Sequence, residues 1–434
     1  MARTKAILGT GARLSDYLSA SLLAQVYPAP LISAILDQHG CNSQRIRSLP
    51  AVSGVYFCMA LSLYPDVAYE QVFDVIAQGL SWMQGHRSVN GGTLTMRKSS
   101  ISEMRTKLGY LALQSLAAQA CAPLADPKRH PDAFYQGLRL VAIDGSNFEV
   151  PDEAENIKAF GYPGSRTGHA GYPQAQSAVL IECATHAILA ANIDTYRAAE
   201  WTVCQPLLAH LKPGMLCLAD RGFGGYNHWQ AAVATGADLL WRCQANRKLP
   251  VIKALSDHSY LSVIYPSEAA SVKQRLATER GIVVRVIDYT LPGADGADGA
   301  DGADGASGTD ASQPPARYRL LTTLLDERSA PALALATLYH ERWEVEAVFD
   351  ELKTHLLQRR RVLRSKTPDL VRQEFYGWVL AHYAVRWLMH QAATEHSVTA
   401  RSLSFTASMA LLKRAQPQSG AFPPSATAKT QTLV

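Results

Sequence analysis

Leu138-Arg-Leu-Val-Ala-Ile-Asp144-Gly-Ser146 is an apolar run that ends on a carboxylate and a glycine, and Met215-Leu-Cys-Leu-Ala-Asp220-Arg-Gly-Phe223 repeats the pattern later in the chain. Continuous apolar runs of this length, bounded by turn residues, read as strands buried on both faces. A carboxylate at the carboxyl end of such a strand faces the crevice where open α/β sheets bind ligands. A single Asp-Gly is ordinarily a turn former or helix cap. Its recurrence on two strands of one inferred sheet makes a converging pair of acids an equal alternative. Working outward, Ser177 to Cys183 and Ala187 to Ile193 form a hairpin pair, and Ala237 to Arg242 is a further strand. Helical spacing falls at Ala198 to Leu211 and Tyr226 to Thr235. The order β-β-β-α-β-α-β predicts an α/β fold with a ribonuclease H-like catalytic core.

A third segment carries chemistry: Tyr339-His-Glu-Arg342-Trp-Glu-Val-Glu346-Ala-Val-Phe-Asp-Glu-Leu-Lys353, inside a predicted helix from Ala332 to Arg360. At about 100° per residue, Tyr339, Arg342, Glu346 and Lys353 fall within an arc of about 60°. Val345, Phe349, Leu352 and Leu356 make an apolar stripe beside that arc, which sends Glu344 and Glu351 to the opposite, solvated side. An ordinary ion pair of Arg342 with Glu346 on a surface helix is the plainer alternative, favoured were Asp144 and Asp220 absent. With them, Asp144, Asp220 and Glu346 make an all-oxygen set suited to Mg²⁺ or Mn²⁺. Phosphodiester chemistry is the natural use of such a set, with Arg342 and Lys353 holding phosphates.

The first 125 residues read as helices at Leu14 to Leu36, Val52 to Leu63, Tyr69 to Leu80 and Ile101 to Ala120, with prolines at the breaks. Ser99-Ser100 is a candidate cap for a helix carrying Arg105 and Lys107, and the region fits either a helix-turn-helix or a plain helical bundle. The expected organisation is a helical, DNA-binding N-terminal domain over 1–130, the first part of the core over 131–249, a β-rich insertion over 250–328, the helical second part of the core over 329–415 and a flexible tail over 416–434. Within the insertion, four copies of Gly-Ala-Asp lie in a tract expected to be a disordered loop over 293–312. Acids three apart do not match the spacing of an EF-hand. Gln358-Arg-Arg-Arg361 fits a phosphate clamp or a solvated helix end equally.

Composition excludes several classes. The chain has 434 residues, 47% of them apolar and 18% charged, the balance of a folded globular protein rather than a disordered one. The longest apolar run, Val52 to Tyr64, is interrupted by Ser53, Gly54 and Ser62 and is too short for a membrane span. Met1 to Thr10 lacks the apolar region of a signal peptide, so a cytoplasmic protein is expected. Seven scattered cysteines without a Cys-x-x-Cys pair fit reduced thiols. Residues 1–130 carry 12 basic and 7 acidic side chains, 131–330 carry 17 and 22, and 331–434 carry 13 and 8, so two basic ends flank the middle. No Gly-Lys-Ser/Thr, His-Glu-x-x-His or Gly-x-Ser-x-Gly motif supports an ATPase, zinc protease or serine hydrolase. A carboxylate-pair glycoside hydrolase needs two acids but no basic arc.

Asp144-Gly-Ser, Ala219-Asp220-Arg-Gly-Phe and the spacing Tyr339-x2-Arg342-x3-Glu346-x6-Lys353 resemble bacterial insertion-sequence transposases of the DDE class, in the insertion-element-four branch with its Tyr-Arg-Glu-Lys signature. Leu49-Pro-Ala, Leu363-Arg-Ser365 with Pro368, Gln373-Glu374-x-Tyr376 and Leu403-Ser-Phe405 also look like this branch, so the resemblance covers about residues 10–415. It implies that Asp144, Asp220 and Glu346 are the catalytic, metal-binding triad and that Tyr339, Arg342 and Lys353 contact DNA phosphates. Arg221, Arg105 and Lys107 are the further DNA-binding expectations. The reaction implied is hydrolytic nicking at terminal inverted repeats followed by attack of the freed 3′-hydroxyl on target DNA, by a homodimer on double-stranded DNA. A catalytically silent DNA-binding derivative is the alternative. In better-known relatives an insertion-segment Trp stacks on a flipped base. The Trp residues between Asp220 and Tyr339 here are Trp229 and Trp241, the latter on a predicted strand, with Tyr260 and Tyr265 as substitutes.

Overall fold

The computed structural model describes residues 22–43, 50–73, 97–165, 168–169, 171–266, 280–290, 317–357 and 362–414. The Gly-Ala-Asp tract, Gln358 to Arg361 and the tail from 416 lie outside them. The chain divides into two compact units. One comprises Met1–Phe134, Gly145–Leu207 and Glu344–Val434, the other Tyr135–Asp144 and Leu208–Trp343. Two of the dividing points, after Asp144 and after Trp343, fall inside the motifs that carry the acids. No helix among the described residues is long and apolar enough to cross a membrane.

In the first unit the N-terminal helices Ala29–Gln38 and Ala51–Leu63 each begin after a proline, Pro28 and Pro50, where a missing N–H leaves nothing unpaired. The second is buried from Gly54 through Leu63, as a helix apolar on every side must be. The single periodic run expected over Ile101 to Ala120 is two helices, Lys98–Leu108 and Leu111–Ala120. They part at Gly109, whose φ of 64° is a left-handed stop that favours glycine. Arg97 rather than Ser99 occupies the cap position, and no side chain caps that end.

Strand β1 (Leu138–Glu149) is longer than the apolar run that announced it, continuing through Asp144 and Ser146, and it passes from the second unit into the first. In the first unit β2 (Gln174–Glu182) and β3 (Ala187–Thr195) form an antiparallel hairpin with a bulge at Leu180/Ile181. The helix expected from Ala198 to Leu211 is α-helical only over Glu200–Cys204 and tightens to a 3-10 turn over Gln205–His210, which contains Pro206.

In the second unit β4 (Met215–Ala219) lies parallel between β1 and β5 (Asp238–Cys243), with the Tyr226–Val233 helix as the crossover between β4 and β5. The β-rich segment that follows extends this sheet. Strands β6 (Lys253–Ala254), β7 (Tyr260–Ile264), β8 (Ile282–Thr290) and β9 (Arg317–Thr322) are antiparallel, and β9 pairs with β5. The strands of an α/β core thus form in the order that the sequence predicts.

The continuous helix expected from Ala332 to Arg360 is four pieces. They are an α-helix over Ala332–Leu338, a 3-10 turn over Tyr339–Trp343, an α-helix over Glu344–Asp350 and a π-helical turn over Glu351–Leu356. An arc drawn at a constant 100° per residue therefore does not describe it. The long helix Pro368–Glu395 follows and packs on the Ala51–Leu63 helix. At their crossing a Cβ on Gly377 would lie 2.6 Å from the Cys58 carbonyl oxygen, so only glycine permits the approach.

Candidate active site

In the second unit the parallel register pairs Leu140 with Leu216 and Ala142 with Leu218. Asp144 lies two residues further along β1 and Asp220 one residue past the end of β4, so extending the offset gives the two acids neighbouring positions. Parallel neighbours lie about 4.8 Å apart, and equal steps from a paired position point to the same face. Two carboxylates are thereby delivered to one sheet edge, at the carboxyl ends of adjacent strands.

Each acid already has a partner. Arg342 Nη1 donates to Asp144 Oδ2 at 3.2 Å, with side-chain exposures of 8% and 14%. The guanidinium also lies 4.9 Å above the ring of Trp343, which is 43% exposed. Asp220 caps the 3-10 turn Arg221–Phe223, its Oδ1 accepting the Gly222 N–H at 2.8 Å. The helix-cap reading of Asp220 is thus true, and it occupies one of two carboxylate oxygens. Tyr339 is buried, and its hydroxyl donates to the Ala219 carbonyl at 3.1 Å, which pins β4 one residue before Asp220. Burial pushes its pKa up.

Arg221 is exposed and lines a cleft of about 440 Å³ with Arg242, Cys243, Gln244, Ala245, Asn246 and Arg317. Three guanidinium groups, Arg221 past the carboxyl end of β4, Arg242 near that of β5 and Arg317 at the start of β9, give this part of the unit a cationic lining. Trp229 and Trp241 are fully buried and stack edge to face at 5.1 Å, so neither offers a face to a base.

In the first unit Glu346 is exposed on the Glu344–Asp350 helix. The Lys353 amine donates to Ser146 Oγ and lies 5.3 Å from the Phe148 ring and 5.7 Å from the Phe349 ring. Burial lowers its pKa. A Cβ on Gly145 would meet Glu200 Oε1 at 2.6 Å, which gives the glycine after Asp144 its own steric reason.

Three expectations are corrected: Tyr339, 5% exposed with its hydroxyl on the Ala219 carbonyl, is not placed to contact a DNA phosphate. Glu351 does not face solvent. It is 6% exposed, accepts from His382 Nε2 at 2.7 Å and Arg386 Nε at 3.0 Å, and belongs to a buried polar cluster. Arg105 is not on a DNA-facing surface. It is 2% exposed and donates to Gln373 Oε1 at 2.8 Å, Ser365 Oγ at 3.0 Å and the Tyr69 hydroxyl at 3.1 Å, so it ties helices together. Its neighbour Lys107 is exposed and pairs with Glu103 at 2.6 Å along the helix. Sequence reading also missed Ser146 and the arginines Arg242 and Arg317. Arg242 had a signal, since it follows the apolar run of β5 as Arg221 follows that of β4.

Among the described residues no three His, Cys, Asp or Glu side chains gather into a ready cation site. The strand-end pair nevertheless offers only hard oxygen donors, the kind that suits Mg²⁺ or Mn²⁺ and not a thiolate metal.

Comparison with known proteins places the chain in a family. The transposase DDE domain model matches residues 135–384, more than half the chain, and the insertion element 4 transposase N-terminal model matches residues 18–118. Transposase InsG for insertion sequence element IS4, of Escherichia coli strain K12, is 26% identical over 420 residues, covering 92% of this chain and 82% of that protein. Putative transposase InsZ of the same strain is 25% identical over 206 residues, 47% of this chain and 64% of that one. A solved piggyBac transposase synaptic complex with hairpin DNA is similar at a TM-score of 0.44 and 10% identity, covering 90% of this chain and 78% of that one, too distant to bear on the site. The chain belongs to the DDE transposase family, with an N-terminal region of the insertion element 4 type.

Proposed function

We propose that the protein is the DNA transposase of an insertion sequence, which binds the element's terminal inverted repeats, hydrolyses the DNA at those ends and joins the freed 3′-hydroxyl to target DNA. The observation that supports this reading is the parallel register of β1 and β4, which runs to two residues short of Asp144 and of Asp220, with Arg342 paired to Asp144. Asp144 and Asp220 would hold Mg²⁺ or Mn²⁺, with Glu346, the carboxylate of the Tyr-Arg-Glu-Lys spacing, as the expected third ligand. A divalent ion in such a site neutralises charge at the reacting phosphate and eases deprotonation of the attacking water or hydroxyl.

The protein's own groups have separable tasks. Arg342 neutralises and orients Asp144. Tyr339 holds the end of β4 so that Asp220 keeps its place. Arg221, in its cationic cleft, binds the phosphate backbone, and Lys353 adds a cation beside Ser146. Lys107 and the helices of residues 1–130 present a basic surface to the element ends. Joining two ends calls for a homodimer on DNA, working at the nucleoid in the cytoplasm.

The test is incubation with duplexes carrying the element's inverted repeats and Mg²⁺. Metal-dependent scission at the repeat boundary is expected. Tight, sequence-preferring binding with no scission in Mg²⁺ or Mn²⁺ would leave a silent DNA-binding derivative instead.

A further inference from the structure

Behind Glu346, on the far side of its helix, lies a closed polar cluster. Glu344 and Glu351 share a face of this segment, since His186 reaches both, its Nε2 lying 2.5 Å from Glu344 Oε2 and its Nδ1 3.3 Å from Glu351 Oε1. From Glu344, Glu346 is rotated by about 200°, onto the opposite face. Glu351 accepts from His382 Nε2 at 2.7 Å and Arg386 Nε at 3.0 Å, and Arg386 Nη2 also touches its other oxygen. Arg386 Nη2 donates to His186 Nδ1 at 2.6 Å, which leaves His186 Nε2–H to donate to Glu344 Oε2 at 2.5 Å. Arg401 Nη1 donates to Glu344 Oε1 at 3.2 Å. Phe405 covers the cluster, its ring 5.3 Å from that of His382 and 5.4 Å from the Arg386 guanidinium.

The partners come from three separate places: the turn between β2 and β3, the Pro368–Glu395 helix, and Arg401. They grip the helix at two points, and the second point is the residue where it widens into a π-turn. π-Turns inside helices cost hydrogen-bond geometry and persist where side chains hold them. A buried charged cluster adds little net stability against an apolar core of the same shape, but its directional hydrogen bonds from three elements onto Glu344 and Glu351 restrict the register of the helix.

We propose that Glu351, with Arg386, His382 and His186, is a positioning set that fixes the rotation and register of the helix bearing Glu346 and Lys353. It acts through those two residues and touches neither DNA nor metal. The proposal rests on the reading of Glu346 as a metal-binding carboxylate, since that role demands a fixed carboxylate. Outer partners of metal ligands typically alter affinity or activity by about 10- to 100-fold.

The test compares full-length wild-type protein with E351Q and with the doubly neutral E351Q/R386Q, which removes both buried charges and so keeps a foldable chain if the single variant fails to fold. Three readouts are taken: amide exchange of residues 344–356, Mn²⁺ binding by paramagnetic resonance, and end cleavage against metal concentration. Expected is faster exchange confined to that helix, Mn²⁺ binding weakened by about 10-fold, and cleavage reduced about 10- to 100-fold with its metal requirement moved upward. DNA-end binding should stay within about 2-fold of wild type. A folded variant with wild-type exchange, or with faster exchange but an unmoved Mn²⁺ affinity and metal requirement, overturns the proposal. If wild-type protein neither binds Mn²⁺ nor cuts, the assignment of Glu346 falls. The exchange data alone then still report whether Glu351 holds the helix.

Discussion

Asp144 and Arg342 meet at 3.2 Å with little solvent between them and the chain, so the arginine is the nearest counter-charge to a carboxylate that the proposed chemistry needs ionised. Arg342→Ala should lower end cleavage by on the order of 100-fold while leaving DNA-end binding within a few fold, and Arg342→Lys should recover only part of the loss because a point charge cannot reproduce the planar contact. Rates measured on inverted-repeat duplexes decide it, and equal activity of the Ala variant would remove Arg342 from the site. At this scale the sequence was informative wherever a residue's role follows from its own strand. Asp144 and Asp220 follow apolar runs, and those runs form adjacent parallel strands whose pairing reaches to within two residues of each acid. It was uninformative where the partner lies far along the chain. Arg105 looks like surface charge until Gln373 and Ser365 close around it, and no local pattern announces them.

At the scale of elements, the buried cluster around Glu351 makes the fold acid-sensitive. Desolvation pushes His186 down to about 4 and His382 to about 3, from an ordinary value of 6.5. At neutral pH His186 therefore meets Glu344 as a neutral hydrogen-bond donor. On unfolding, both rings regain their ordinary affinity for protons, so below about pH 6.5 the unfolded chain binds protons that the folded chain refuses. Stability is full above pH 6.5 and falls as pH drops toward 3–4, by up to about 1.4 kcal/mol per pH unit for each ring. Denaturant melts of wild type and His382→Gln across pH 7 to 4.5 check this, and a variant with the same acid slope as wild type would contradict it. The crossing of the Ala51–Leu63 and Pro368–Glu395 helices gives a second prediction. Gly377→Ala sets a Cβ against the Cys58 carbonyl and should cost roughly 1–3 kcal/mol, read as a lower Tm. The helix from Ala332 onward shows why elements are harder to read than residues. Apolar spacing correctly marked it as helical, but a 3-10 turn at Tyr339–Trp343 and a π-turn at Glu351–Leu356 alter the rotation per residue. Glu351 thus turned from expected solvent into a buried ion cluster.

For the whole molecule, the net charge of +5 says less than its distribution, with basic ends at 1–130 and 331–434 and an acid-rich middle. If those ends hold DNA, log Kobs for the inverted-repeat duplex should fall linearly with log[salt], by about 0.9 per phosphate engaged. A flat salt response in a filter-binding or anisotropy series would sink the electrostatic part of the account. The central claim is narrower: the two strand-end aspartates bind the metal that the cutting reaction uses. It is tested most directly by end cleavage with Asp220→Cys in Mg²⁺ and in Mn²⁺. A thiolate is a poor ligand for hard Mg²⁺ and a better one for Mn²⁺. The variant should be inactive with Mg²⁺ and regain scission at the repeat boundary with Mn²⁺; wild-type rates with Mg²⁺ would rule out metal binding by Asp220.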